Sequence, residues 1–164
     1  MISIIAAIGK NNELGKNGGL IWAIPKDLKY FSKRTKDSTI VMGRNTFNSL
    51  PKILPGRKHI ILSSTNNFNK EINDEVIVID SKEKLIELCL EISKDSEIFI
   101  IGGSSLYNMF IDIADKMYIT HIEESDVEAD VYFPPIREEK WRRVVLANDE
   151  DNNIKFSYVE YIKV

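Results

Sequence analysis

Six short runs of branched and apolar residues punctuate this chain: ISIIAAI (residues 2–8), TIVMG (39–43), KHIILSS (58–64), VIVI (76–79), EIFII (97–101) and MYITHI (117–122). A continuous apolar run of that length suits a strand covered on both faces, as in a parallel sheet. Most of the gaps between them carry helical spacing. Residues 25–36, opening on Pro25, 82–94 and 104–113 read as helices, and a short helix starts at Arg44. After residue 122 the alternation stops. RRVVLA (142–147) and residues 154–164 read as two strands joined through the polar turn 148–153. The expectation is an α/β fold with a mostly parallel central sheet and an antiparallel strand or hairpin at its C-terminal end. No repeat, linker or low-complexity tract interrupts residues 1–164, a length suited to a single domain.

One stretch, GKNGGLIWAIPKDLKYF (residues 15–31), points to a site. Asn17-Gly18-Gly19 is a turn dipeptide with a second glycine and reads as a mobile loop. Leu20, Ile21 and Trp22 then place three large apolar residues on that loop, where they would cover something. Asp27 follows in the first helical turn, flanked by Ile24 and Leu28 and four residues before Phe31. A carboxylate there ordinarily serves the helix dipole. Beside an apolar stripe it should instead have a raised pKa and attract a cationic or N–H-bearing ligand. Two strand-to-helix turns also carry glycine, Gly43-Arg44 and Gly102-Gly103-Ser104, and such turns at strand carboxyl ends are where α/β sheets bind ligands. Neither is a full GxGxxG; together they suggest a dinucleotide spanning two helix starts.

Composition excludes other classes. The net charge of −3 argues against a general nucleic-acid or membrane-surface binder. No stretch is apolar enough to span a bilayer, and the N-terminus lacks a basic signal-peptide region, so a cytoplasmic location is expected. Cys89 is the single cysteine and lies in KLIELCLEI at helical spacing, where a buried, inert thiol is expected and no cysteine metal site exists.

The segments ISIIAAIG, LGKNGGLIWAIPKDLKYF, IVMGRNTFNSL, LPGRKHIILSS, IFIIGGSSLYNMF and MYITHIE, in that order, resemble bacterial dihydrofolate reductases over nearly the whole chain. The resemblance implies an eight-stranded sheet flanked by four helices, seven strands parallel and the last antiparallel. It implies hydride transfer from NADPH to C6 of dihydrofolate with protonation at N5. Asp27 matches the acid that accepts hydrogen bonds from the pterin 2-amino and N3 groups, and Thr120 the threonine that orients it. Leu20 matches the lid residue, Trp22 the tryptophan holding a water near the acid, and Tyr107 a tyrosine beside the nicotinamide. Ile5, Ala6, Leu28, Phe31, Leu50, Leu54 and Ile101 would line the walls for the pterin and its aminobenzoyl tail, with Lys52 near the tail. Arg57 resembles the arginine that clamps the tail carboxylate.

On the cofactor side the resemblance assigns Ala7, Leu14, Gly15, Gly18 and Gly19 to the nicotinamide end. Gly43, Arg44, Asn45 and Thr46 would hold phosphates at one helix start, and Gly102, Gly103, Ser104, Ser105, Leu106 and Tyr107 at the other. Gly102-Gly103 matches a pair joined by a cis peptide. Arg44, Ser63 and Ser64 are placed for a 2′-phosphate, hence NADPH over NADH. Asp130 resembles the loop acid that pairs with the lid. Ile21 stands where a proline is common, Asn45 where a histidine or lysine is, and Ser105 where an arginine is. His59 and His121 match no catalytic role and read as structural or surface residues. Antifolates are expected ligands. No metal is expected, and a monomer is expected from size and the lack of an apolar surface stripe. Two other readings share the scaffold, a riboflavin-biosynthesis-type sugar reductase and a non-catalytic folate- or nucleotide-binding module. Asp27 and Arg57 discriminate against the first, since a sugar needs neither.

Overall fold

The computed structural model describes residues 1–164. Eight strands form the central sheet: β1 (Ile2–Ile8), β4 (Thr39–Gly43), β5 (Lys58–Leu62), β6 (Val76–Ile79), β7 (Ile98–Gly102), β8 (Lys116–Ile122), β10 (Trp141–Asp151) and β11 (Ile154–Lys163). Their order is β10-β11-β8-β1-β7-β4-β5-β6. β11 pairs antiparallel with both β8 and β10, and every other pairing is parallel, so β11 alone runs against the rest.

Four helices cover the sheet: α1 (Pro25–Thr35), α2 (Arg44–Ser49), α3 (Lys82–Ile92) and α4 (Ser104–Phe110). The alternation within β1 explains why both faces need cover. Ile2, Ile4, Ala6 and Ile8 enter a core of 20 buried residues that also takes Leu85 and Cys89 of α3 and Leu106 and Phe110 of α4. Ile5 enters a second core with Phe47 of α2, against which Tyr30 and Phe31 of α1 pack. Burial raises the Cys89 thiol pKa to about 12, which leaves it un-ionised.

The stretch around Asn17-Gly18 differs from the loop expected. It is a hairpin, β2 (Glu13–Lys16) and β3 (Gly19–Leu20), and β9 (Val131–Tyr132) completes a three-stranded sheet on it. Asn17 (φ 51°) and Gly18 (φ 79°) both sit at positive φ, the geometry of a tight two-residue hairpin turn. The C-terminal turn is also narrower than the 148–153 expected. β10 continues to Asp151, and Asn152 and Asn153, at φ 50° and 62°, make the turn alone. No helix is long and apolar enough to cross a membrane.

The chain leaves β1 toward β4 and leaves β7 toward β8, so the connections from these two neighbouring strands run to opposite sides of the β1–β7 pair. Such a reversal opens a crevice at the carboxyl ends of the strands.

Candidate active site

That crevice is a cleft of about 900 Å³. Its walls bring together most of the residues marked in the sequence: Ile5, Ala6 and Ala7 of β1, Leu14 to Lys16 and Gly18 to Leu20 of the hairpin, Asp27, Leu28 and Phe31 of α1, Gly43 to Thr46, Leu50, Ile101 to Tyr107, and Thr120 of β8. Tyr30, Pro51, Leu62 and Val131 also line it and carried no signal in the sequence.

Asp27 is placed by the start of α1, where its own N–H and that of Leu28 bond Ile24 O at 3.0 and 3.1 Å. Thr120, buried on β8 and paired in register with Ala7 of β1, donates its hydroxyl to Asp27 Oδ1 at 2.6 Å. Burial raises the carboxyl pKa above its usual 3.8, against the smaller downward pull of the Thr120 bond. Oδ2 has no partner within the chain. A half-buried carboxylate with one oxygen fixed and the other free, among Phe31, Leu28 and Ile5, is an acceptor for a flat ring with adjacent N–H donors.

The opposite side of the cleft is built from backbone. α2 and α4 start at Gly43 and Gly103, and neither has a side-chain cap, so their first N–H groups remain available. Gly102 sits at φ +124°, and a Cβ there would lie 3.3 Å from Tyr107 Oη and 3.5 Å from Thr46 Oγ1. The Gly102–Gly103 peptide is cis. Tyr107 is buried, donates its hydroxyl to Ile5 O at 2.8 Å and packs on Phe133, and burial pushes its pKa up. Beyond Arg44 a second hollow of about 350 Å³ contains Leu62, Ser63, Ser64, Thr65, Asp80 and Lys82. Ser63 and Ser64 therefore sit beside Arg44 outside the main cleft. Lys82 joins them, and sequence reasoning passed over it as the ordinary lysine of an amphipathic helix start.

The hairpin that carries Leu20 is tied to the acidic loop before β9. Asp130 Oδ2 accepts from Asn17 N at 3.0 Å, and Asp130 N donates to Gly15 O at 3.1 Å. Lys16 Nζ lies 3.3 Å from Asp126 and 3.0 Å from Glu128. Partly exposed pairs of this kind contribute roughly 0.2–1 kcal/mol each, so they add little to the short strand pairing with β9. Leu20 itself is 70 % exposed over the cleft.

Besides Ser63, Ser64 and Asp130, four marked residues do not line the cleft. Trp22 packs against the cluster of Ile24, Ile122 and Phe156, which makes it an anchor for the hairpin's exit. Lys52 is exposed, and Leu54 packs on the second core. Arg57 is 6 % exposed, so it is no surface arginine. Its guanidinium donates to Thr35 Oγ1 (3.1 Å), Pro55 O (2.7 Å), Ser32 O (2.7 Å) and Ser32 Oγ (3.1 Å), gathering the end of α1.

His59 fixes the loop that carries Leu54 and Arg57. Its Nε2 accepts from Leu54 N at 3.1 Å and its Nδ1 lies 3.0 Å from Arg57 O, a pattern satisfied by the neutral ring protonated on Nδ1. Burial lowers its pKa. The stability it contributes is therefore complete above the ordinary value of about 6.5 and is lost as pH falls through the lower folded value. His59→Ala should cost about 2 kcal/mol at pH 7, from the cavity and the orphaned Leu54 N–H, and less at pH 5. Urea midpoints of parent and variant at both pH values would read this. Equal gaps at the two pH values would refute the neutral-ring account. His121 is half-buried and bonds Tyr161 Oη at 2.8 Å.

The fold and cleft define a class of protein, an α/β ligand-binding domain with an acid at one wall and two glycine-led helix starts at the other. The family model described as dihydrofolate reductase matches residues 1–163. The chain is 35 % identical to the dihydrofolate reductase of Bacillus subtilis, over 99 % of its own length and 95 % of the relative. It is 36 % identical to that of Staphylococcus aureus (99 % and 98 %) and 40 % identical to that of Buchnera aphidicola from Baizongia pistaciae (86 % and 82 %). This chain belongs to the dihydrofolate reductase family.

Proposed function

We propose that residues 1–164 act as one catalytic domain that reduces 7,8-dihydrofolate to 5,6,7,8-tetrahydrofolate with NADPH in the cytoplasm. The observation that carries this is Asp27, held by Thr120 with Oδ2 free inside an apolar cleft. In this reading Asp27 accepts from the pterin 2-amino and N3 groups, while Ile5, Ala6, Leu28, Phe31, Leu50 and Ile101 enclose the ring and the start of the tail. Its negative charge favours the N5-protonated, more electrophilic ring. Because Asp27 bonds the far edge of the pterin, the N5 proton arrives through water. Leu20 covers the reacting face and limits further access of water.

The chain fits the cofactor. Uncapped helix starts at Gly43 and Gly103 suit its phosphates, and Arg44, Ser63, Ser64 and Lys82 suit a 2′-phosphate. NADPH, when bound, supplies the hydride that ends on C6. Ala7, Leu14, Gly15, Gly18 and Gly19 would border the nicotinamide, with Tyr107 behind Ile5. Trp22 acts by anchoring the hairpin rather than at the ring. Arg57 has one N–H still unpartnered, enough to meet a tail carboxylate at the end of α1, with Leu54 and Lys52 beside it. Every wall of the cleft comes from one chain, so the monomer is a complete catalytic unit, and antifolates that present adjacent N–H donors compete at Asp27.

The test is loss of reduced-nicotinamide absorbance on mixing the protein with NADPH and dihydrofolate. A folded, NADPH-binding chain that leaves dihydrofolate untouched would sink the reading. For the cofactor, Arg44→Ala should weaken NADPH binding about tenfold and leave NADH binding nearly unchanged, because only the former carries the 2′-phosphate. Fluorescence titration of both nucleotides measures this, and equal losses would remove Arg44 from that role.

A further inference from the structure

The central sheet ends on β10, which runs 11 residues and pairs only with β11. Every residue from Arg142 to Glu150 is exposed. The strand falls into three blocks: Arg142 and Arg143, then Val144, Val145 and Leu146 at 38 %, 47 % and 41 % exposure, then Asp149, Glu150 and Asp151. The side chains of Arg142, Arg143 and Glu150 make no hydrogen bond or ion pair within the chain. Asp149 and Asp151 are held by Lys26, through Nζ at 3.0 Å and N at 2.9 Å, which keeps the acidic end in place.

An open edge offers unpaired N–H and C=O groups to any passing strand, and proteins usually guard it with charge or a bulge. β10 has the bulge, at Leu146. Its charges do not guard it against every partner. The two ends have opposite sign about an apolar centre, so a parallel copy would set arginine on arginine, whereas an antiparallel copy in the register Arg142–Glu150 sets Arg143 against Asp149, Val144 against Asn148, Val145 against Ala147 and Leu146 on Leu146.

We infer that β10 is a self-recognition edge on which a second copy of this chain docks antiparallel, joining the two sheets into one. The pairing uses up the edge on each copy, so assembly stops at two. The contact is one strand wide, below the roughly 1,200–2,000 Å² of a stable interface, so the dimer forms only at high concentration. β11 and β8 separate this edge from β1, and the cleft of each copy stays open. The monomer expected from the sequence is one side of this equilibrium. Its signal was missed because a strand shows its opposite-sign ends only when read against its own reverse.

Sedimentation equilibrium of the full chain from about 1 µM to 1 mM tests it. The parent should shift from monomer to dimer across this range, and added salt should weaken the dimer. R142E/R143E and E150R should each associate at least about tenfold more weakly, since like charges then face each other. An equimolar mixture of the two variants should associate more tightly than either variant alone. NADPH oxidation per chain, unchanged in each variant, shows that they are folded. A parent monomeric throughout, a dimer that neither variant weakens, or a larger assembly would overturn the inference.

Discussion

Asp27→Asn is expected to lower kcat/KM for dihydrofolate by roughly 10²–10³-fold near neutral pH, with partial recovery as the pH falls. Asparagine keeps the shape and still accepts from Thr120, but it loses the negative charge that favours the protonated ring and presents an NH₂ where an acceptor is needed. Acid restores part of the rate by protonating the substrate from solvent. NADPH affinity should remain within about threefold of the parent, because Asp27 lies on the substrate side. The same variant should be more stable than the parent. Burial raises the folded pKa of Asp27, so the ionised group destabilises the native state above that pKa, and the penalty disappears below the unfolded value of 3.8. The Tm of the variant should therefore exceed the parent's at pH 7 by roughly 2–4 °C and match it only well below pH 3.8. A pH-independent loss of rate, or a variant less stable at pH 7, would contradict the role given to this carboxylate.

Gly9→Ala is expected to be the most crowded glycine-to-alanine change in the chain and strongly destabilising. A Cβ on Gly9 would lie 2.6 Å from Trp22 Cη2, 2.7 Å from Glu13 Oε1 and 2.9 Å from Glu124 O. None of the three can yield alone. Trp22 is wedged against Ile24 and Phe156. Glu13 is 1 % exposed and accepts from Asn11 N and Asp126 N, each at 2.6 Å. Overpacking costs about 1–3 kcal/mol and a disturbed buried carboxylate about as much again, so a loss of about 3 kcal/mol is expected. At this chain length that is a fall in Tm of roughly 6–12 °C, with a shift in tryptophan emission as Trp22 moves. A Tm within about 2 °C of the parent's would mean the turn relaxes freely.

Much of this was legible in the sequence, for reasons that differ element by element. The parallel strands were visible because a strand covered on both faces must be largely apolar, as 98–101 and, Ser3 aside, 2–8 are. Asp27 stood out because a carboxylate beside Leu28 and Phe31 conflicts with its surroundings. The hairpin before Trp22 was read as a loop because strands of four and two residues show no period. Strand order was beyond reach, since it is set by which helix packs on which face. Gly9 had no signal and His59 read only as structural or surface, because their contacts with Glu124 and Leu54 are not brought together by a linear reading. Arg57 was legible as important, but its bonds to Ser32, Thr35 and Pro55 depend on where α1 ends.

The two walls of the cleft are built to different tolerances. Asp27 and Thr120 stand on a helix and a strand anchored in the core, whereas Leu20 rides on a short hairpin held by the two-residue strand β9, a backbone–carboxylate bond and partly solvated ion pairs. What is recognised and how long it stays are therefore inscribed on separate parts of the chain. Substitutions along the hairpin can retime entry and exit while the ligand chosen stays the same, and those around Asp27 do the reverse.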